Sequence, residues 1–308
     1  GSNEIEKGYV GSSVVYEENS GPDYSKTPLC LESVNGSNLN IYFYVNCYYN
    51  GSDYYSDLSK TLEIQYSYDN VNWSSTTING NVGWPGASGK HSVYRTLSTT
   101  SPKVYLRTNN QTYKYYKSSG SYPNQLSYIS LDANTDFNVY GNITSMYYGS
   151  SFNGQRNYGS TNAFGYGFFT QSKVVDASNL VLPNSLITLN GDYGQFGRMF
   201  SQCTKLISPP ELPATTLVKS CYYNIFYGCS KLTYIKVGFT AWPDMSSSSA
   251  SNYRATYEWT QLTVNTIGTF VCPAALPQQF NASGNNTSGS SLSNASNAIP
   301  YGWTVQTF

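Results

Sequence analysis

The sequence predicts a mainly β protein with short helices, an N-terminal β-sandwich followed by a short array of repeated units. Three observations lead there. The chain is rich in tyrosine, 31 beside 13 Phe and 5 Trp, and such residues fit pleated, half-buried surfaces. Short apolar alternations separated by turn residues recur between residues 24 and 140. From about residue 164 the chain repeats itself. A length of 308 residues suits two domains with a small appendage. The divisions expected are 1–20, a hairpin or tether; 21–138, the sandwich; and 139–308, the repeat domain with a C-terminal cap.

The first twenty residues read as two short strands around a Gly11-Ser12 turn. A lone hairpin is marginal in water, so this one is expected to pack on its own protein or on a neighbour. Strand signals follow at Leu29-Cys30-Leu31, Ile41 to Val45, Leu62 to Tyr68, Val93 to Leu97 and Val104 to Arg107. Their spacing and turn signals suit a sandwich. In 62–68, Leu62, Ile64, Tyr66 and Tyr68 alternate with Glu63, Gln65 and Ser67, which predicts one buried and one wet face. Asp69-Asn70 then turns the chain, and Trp73 is expected as a core plug. Cys30 and Cys47 lie in or beside strands and would form a disulfide only if their Cα atoms come within ~7 Å.

Met199-Phe200-Ser201-Gln202-Cys203-Thr204-Lys205-Leu206 recurs as Ile225-Phe226-Tyr227-Gly228-Cys229-Ser230-Lys231-Leu232. Phe168-Phe169-Thr170-Gln171-Ser172 is a weaker copy without the cysteine. Cys221, Tyr222, Ile225, Phe226 and Cys229 fall on one helical stripe, with Ser220 as N-cap. Leu232 to Val237 alternates as a strand. A unit is therefore expected to be a short helix plus a short strand, stacked so that Cys203 lies over Cys229 and Leu206 over Leu232. At least three units are needed for stability, and the chain offers three, the first degenerate.

These residues resemble the BspA-like (treponemal-type) leucine-rich repeats, whose units read aromatic, two residues, Cys, two residues, Leu, then a Pro-containing turn. The flanks 137–143 and 299–306 are similar to those of such arrays in gut Bacteroidetes and their phages, and residues 4–12 to hairpins of phage tail and fibre proteins. The resemblance covers roughly 137–308. It implies a surface adhesion or receptor-binding role without catalysis, at the cell surface, outside the cell or on a virion. The array is shorter than is usual for the family and carries an insertion near 190–194.

Chemistry is sparse. Charged residues make up 11% of the chain, and 17 Lys+Arg balance 17 Asp+Glu, so no electrostatic footprint for nucleic acid is present. No apolar run of transmembrane length occurs, and no membrane insertion is expected. No secretory signal is visible at the start of the chain. Six cysteines are too few for a disulfide scaffold, and their spacing lacks the close pairs of a zinc site. His91, the only histidine, sits in a polar turn without a catalytic signature. Glycoside hydrolysis needs only two carboxylates, for which Glu63, Asp69, Asp132, Asp136, Asp176, Glu211 and Glu258 are available. Asp132, Asn134 and Asp136 alternate like the start of a calcium loop, but Phe137 stands where that loop needs glycine. A turn held by Asp and Asn side chains is expected there. No cofactor is expected.

Binding is expected to fall on tyrosine. Tyr48, Tyr49, Tyr54 and Tyr55 bracket a turn at Asn50 to Asp53; Tyr113, Tyr115 and Tyr116 lie between lysines; Tyr147-Tyr148 is a third cluster. Trp84 in Gly83-Trp84-Pro85-Gly86 is a similar loop candidate. Adjacent strand residues face opposite ways, so part of each cluster should be exposed, ready to stack on sugar or anchor a protein. Cross-strand aromatic packing is the alternative. The expected partners are a cell-surface glycan or protein, with a second copy or a virion neighbour docking through 1–20. Residues 281–298 read as a polar loop before a last strand at Trp303 to Val305.

Overall fold

The computed structural model describes residues 6–10, 13–17, 22–47, 49–50, 53–54, 62–78, 91–108, 128–155, 166–187, 194–244, 247–261, 267–277, 298–300 and 302–308. They are mainly β, with one short α-helix among them. Strands β1 (Glu6–Val10) and β2 (Ser13–Glu17) pair antiparallel, Val10 opposite Ser13, as a two-residue connection requires. In chain order follow β3 (Leu29–Ser33), β4 (Asn40–Cys47), the short β5 (Tyr49–Asn50) and β6 (Asp53–Tyr54), β7 (Leu62–Ser67), β8 (Ser74–Ile78), β9 (His91–Ser98), β10 (Lys103–Thr108), β11 (Tyr128–Ala133) and β12 (Phe137–Asn142).

β5 and β6 pair only with each other, and the other strands from β3 to β12 make two antiparallel sheets. One runs β12-β3-β10-β7-β8, the other β11-β4-β9. Period-two alternation decides what each sheet buries. In β10, Val104 and Leu106 are buried while Lys103, Tyr105 and Arg107 are half-exposed. Leu29 and Leu31 of β3, Ile41 and Phe43 of β4, Leu97 of β9 and Leu131 of β11 join them in one core. In β7 Ile64 is buried as expected, but so is Ser67 of the expected wet face, while Tyr68, just past the strand, is exposed. Trp73 is not a core plug. It is half-buried, with the Arg107 guanidinium 3.8 Å above its ring and held there by Gln65, whose Oε1 accepts from Arg107 Nε at 2.7 Å. Asp69 makes the expected turn: its carboxylate accepts the backbone N–H groups of Val71 and Asn72, each at 2.8 Å, which holds its pKa well below the usual carboxylate range. Cys30 is a free, buried thiol, so it makes no disulfide with Cys47, whose side chain lies outside the described residues.

Strand β12 is common to both halves of the chain. One edge pairs antiparallel with β3, Val139 opposite Leu31. The other pairs parallel with β13 (Val174–Asp176) and β14 (Leu180–Val181). The helix α1 (Ser145–Tyr148) follows β12. The expected boundary at 138/139 lies inside β12. A parallel ladder then continues through bridges Asp176–Ser208 and Leu212–Val237 into β15 (Tyr234–Lys236), β16 (Thr269–Cys272) and β17 (Thr304–Thr307). Each return of the chain adds a rung. Gly141, in β12, has φ +86°, and a Cβ there would overlap the Pro28 carbonyl oxygen. Gly141→Ala is expected to lower the unfolding free energy by about 3 kcal/mol in a urea titration.

Between rungs the chain crosses the other side of the array as coils, at 166–172, 194–203, 218–229 and 250–261. The helix expected at 220–229 is absent; the segment is a run of consecutive turns. Backbone N–H groups alternate between two partners. Those of Cys221, Tyr223, Ile225 and Tyr227 bond three residues back, to Val218, Ser220, Tyr222 and Asn224. Those of Ser220, Tyr222, Asn224, Phe226 and Gly228 bond across to the next coil, at Tyr253, Ala255, Tyr257, Trp259 and Gln261. A helix would satisfy these groups internally; here half of them tie neighbouring coils together.

Every fourth residue accordingly takes positive φ: Gly167 and Gln171, Arg198 and Gln202, Ser220, Asn224 and Gly228, Arg254 and Glu258. The two residues after Gly167, Arg198, Ser220, Asn224, Arg254 and Glu258 point inward; after Gln171, Gln202 and Gly228, where each coil ends, only the first does. Phe168, Met199, Ile225 and Trp259 form one inward column, and Phe169, Phe200, Phe226 and Thr260 the next, all buried. The rings of Phe169, Phe200 and Phe226 stack at 5.4 and 6.0 Å. Cys203 and Cys229 donate from Sγ to the carbonyls of Phe169 and Phe200 in the preceding coil, at 2.8 and 3.0 Å. Cysteine suits this place as a small hydrophobe with a weak donor. Ser172 holds it in the first coil, its hydroxyl 3.6 Å from Cys203 Sγ.

Burial pushes the thiols of Cys30, Cys203 and Cys221 up to about 12, and that of Cys229 well above its ordinary value. The fold favours the protonated thiol. Their contribution is therefore complete below the unfolded thiol pKa of ~8.5 and is lost as pH rises toward 12. The melting temperature is expected to fall progressively from pH 9 to 11, and an aromatic disulfide reagent at pH 8 is expected to leave these four thiols unmodified until urea is added. Fast labelling of any of them in the native chain, located by mass spectrometry, would contradict this burial.

Candidate functional site

Strands β5 and β6 place Tyr49 opposite Tyr54. The side chains of both, and Tyr48, Tyr55, Trp84, Tyr113, Tyr115 and Tyr116 altogether, lie outside the described residues. So does the side chain of His91, which opens β9 opposite Cys47. Tyr147 and Tyr148 meet edge to face at 4.7 Å on α1, and Tyr147 packs against the core. The three oxygen-bearing residues of the calcium-like run turn to different partners. Asp132 accepts from Lys173, by its backbone N–H at 2.9 Å and its Nζ at 3.2 Å. Asn134 Oδ1 accepts from the Asn40 backbone at 2.8 Å, and Asp136 pairs with Lys205 at 2.6 Å. Among the described residues, no group of three His, Cys, Asp or Glu is placed to hold a metal ion.

Two of the candidate carboxylates, Asp132 and Glu258, line one groove of about 520 Å³. The others named from sequence serve local structure where their partners are defined. Asp69 holds its turn, Asp176 accepts from the Ser178 backbone at 2.8 Å, and Glu211 pairs with Lys236 at 2.6 Å. The groove follows directly from the coil geometry. Where two residues of every four point inward, the positive-φ residue and the one before it turn toward the other face, some of them, as Ser201, Ser220 and Asn224, still covered by their neighbours. These residues make the floor: Gln171, Arg198, Gln202, Asn224 and Glu258 at positive φ, Thr170, Ser201, Tyr223 and Tyr227 before such positions, and Gln261 at the end of the fourth coil. Tyr44 of β4 and Ser130 and Asp132 of β11 make the wall. The first coil is fixed to that wall by Leu131 N–H, which donates to the Phe168 carbonyl at 2.7 Å.

Cross-coil hydrogen bonds set the rows. One row runs Arg198, Asn224, Glu258; another runs Gln171, Gln202, Gly228. Gln171 Nε2 donates to Gln202 Oε1 at 2.8 Å. Beyond Gln202 the row is open, because Gly228 has no side chain. The Tyr223 ring stacks on Tyr257 at 5.7 Å with the planes 5° apart, and the Arg198 guanidinium lies 5.8 Å from its centre. Asn224 is 4% exposed, and its Nδ2 lies 3.3 Å from Glu258 Oε2 as donor. Its Oδ1 is a buried acceptor with no hydrogen-bond partner. Such an atom costs about 1–3 kcal/mol and asks for an explanation.

Of the groove residues only Asp132 and Glu258 stand out in the sequence, as carboxylates. The rest were missed because a helix was expected, and a helix at 220–229 would not gather Tyr223, Asn224 and Tyr227 with residues of three other coils. The available signal is the spacing of inward pairs at four residues, which leaves a polar or tyrosine pair between them. Comparison with known proteins finds no family model, no curated protein and no solved structure that matches this chain.

Proposed function

We propose that the protein is a non-enzymatic surface adhesion or receptor-binding protein of a gut bacterium or its phage, built as a two-sheet sandwich joined to a short BspA-like leucine-rich-repeat array. The observation that supports it most is the groove. Side chains with two coil-to-coil registers and a sheet wall behind them form a preorganised, polar, aromatic-lined hollow within the ~300–1,000 Å³ typical of ligand sites. Rigid tyrosine with amide side chains is the chemistry of adaptable recognition. Among the described residues no helix is long and apolar enough to cross a membrane. The β1–β2 hairpin, marginal by itself, serves in this account as the attachment to a neighbouring subunit.

The test is binding of the purified chain to intact gut Bacteroidetes cells beside two variants. Tyr223→Ala with Tyr227→Ala is expected to weaken binding at least tenfold while the far-UV spectrum is kept. Alanine at Tyr48, Tyr49, Tyr54 and Tyr55 is expected to leave most of it. The reverse pattern would move recognition to the tyrosine loops, and a chain that binds no cells but assembles on a virion would replace the adhesin reading by a structural one.

A further inference from the structure

We propose that the groove takes an uncharged oligosaccharide lying across the coils, with Asn224 as its central hydrogen-bonding contact and Tyr227 beside it as a ring-stacking face. This rests on the groove being the recognition site. Four features of the site support it.

The first is the unpartnered acceptor. Asn224 Oδ1 is buried at the groove floor without a donor, while the Nδ2 of the same amide is engaged by Glu258. The atom is covered in this conformation, so a ligand hydroxyl reaches it as the amide turns toward the groove; it then supplies the missing donor and can accept from a neighbour at the same time. Sugars carry such groups around the whole ring.

The second is the balance of the lining. Amide, hydroxyl and phenol side chains dominate it, from Gln171, Gln202, Gln261 and Ser201 to the three tyrosines. Of its charged groups, Asp132 is paired with Lys173, Glu258 accepts from Asn224, and the Arg198 guanidinium lies 5.8 Å from the Tyr223 ring centre. An anionic ligand would meet two carboxylates against one guanidinium.

The third is spacing. Hydrogen-bonded backbones lie ~4.8 Å apart, so equivalent side chains recur across the coils at about the scale of one sugar ring. A chain of rings laid across Gln171 to Glu258 meets a polar outward pair at each step. A peptide in an extended conformation would instead seek unpaired backbone N–H and C=O groups, whereas these coils spend theirs on one another.

The fourth is the gap at Gly228. Its φ is +72°, and the row after Gln202 ends in a residue without a side chain, next to Tyr227, with Gln202 the nearest neighbour. Tyr223 is already stacked on Tyr257. Tyr227 is the half-buried ring left to meet a sugar face.

The experiment is calorimetric titration of the full chain with neutral oligosaccharides (glucans, mannans, galactans and N-acetylhexosamine chains) and their sialylated and sulfated counterparts, beside Asn224→Gly. Glycine accepts the positive φ of position 224, so the coil is kept and the amide alone is removed. The expected result is binding of at least one neutral oligosaccharide, weakened tenfold or more in Asn224→Gly with an unchanged melting temperature. Equal binding by Asn224→Gly, or binding confined to the charged glycans, overturns the proposal. If no oligosaccharide binds while the chain still binds cells through Tyr223 and Tyr227, the ligand is a protein: this inference fails and the adhesin reading stands.

Discussion

Replacing Gly194 with alanine is expected to destabilise the chain by more than about 4 kcal/mol, in the range reserved for backbone collisions and core cavities. Gly194 opens the second coil, fully covered by the third. A Cβ there would sit inside the van der Waals surface of the Ser220 carbonyl oxygen and close to the Cys221 nitrogen. Both are backbone atoms, so no rotamer relieves the overlap and the coils must separate. Separation would break the cross-coil bonds of Phe196, Arg198 and Phe200 to Cys221, Tyr223 and Ile225 together. Gly228→Ala is the control. Unlike Gly194 it has positive φ, and a Cβ would meet only Gln202, nearest at Cγ at an ordinary 3.4 Å. Its cost should be about 1–2 kcal/mol, the conformational term alone. Urea titrations of the two variants separate collision from conformation; similar losses would mean that the coils are not packed as described.

Trp259→Ala is expected to cost about 3–5 kcal/mol, the usual loss for a large buried aromatic. The indole is fully buried in the last described coil, with Phe239, Trp242 and Phe270 at 6.2, 6.0 and 6.2 Å. Its Nε1 donates to the Ala298 carbonyl at 3.0 Å, which ties the coil to the segment leading into β17. The variant should therefore lose amide protection first at 253–261 and at β16 and β17, before the sheets of the N-terminal half are affected. Trp259→Phe keeps part of the packing but leaves the Ala298 carbonyl without its donor, and should fall between wild type and alanine.

Much of the first half was legible because period-two alternation is a local property. The expected strands at 29–31, 41–45, 62–68, 93–97 and 104–107 coincide with β3, β4, β7, β9 and β10. Strand β8 was missed; Ser74 to Thr77 are all polar or half-polar and carry no alternation. Trp73 was misplaced because an aromatic residue beside a strand is usually core, and only the fold brings Arg107 over its ring.

In the array, the inward residues 221, 222, 225, 226 and 229 were identified correctly, and all are buried. The conformation was not. Inward pairs here repeat every four residues, and a nine-residue window does not distinguish that period from the 3.6 of an α-helix. What decides between them is the neighbouring coil, which offers carbonyl partners to alternate N–H groups; that information is not local. The coil at 250–261 is hidden in the sequence for a related reason. It has no cysteine, and Trp259 takes the column of Phe168, Met199 and Ile225, while Thr260 takes that of the phenylalanines. The groove depends on both missing pieces, since its floor consists of the outward residues of four coils.

The central claim is that this floor is the surface that meets the ligand. Amide hydrogen exchange of the full chain, free and bound to a surface extract of gut Bacteroidetes cells, tests it most directly. The account predicts new protection concentrated at 198–202, 223–227 and 257–261, with β11 as the adjoining wall. Protection confined to 48–55 and 109–127, with the coils unchanged, would contradict it.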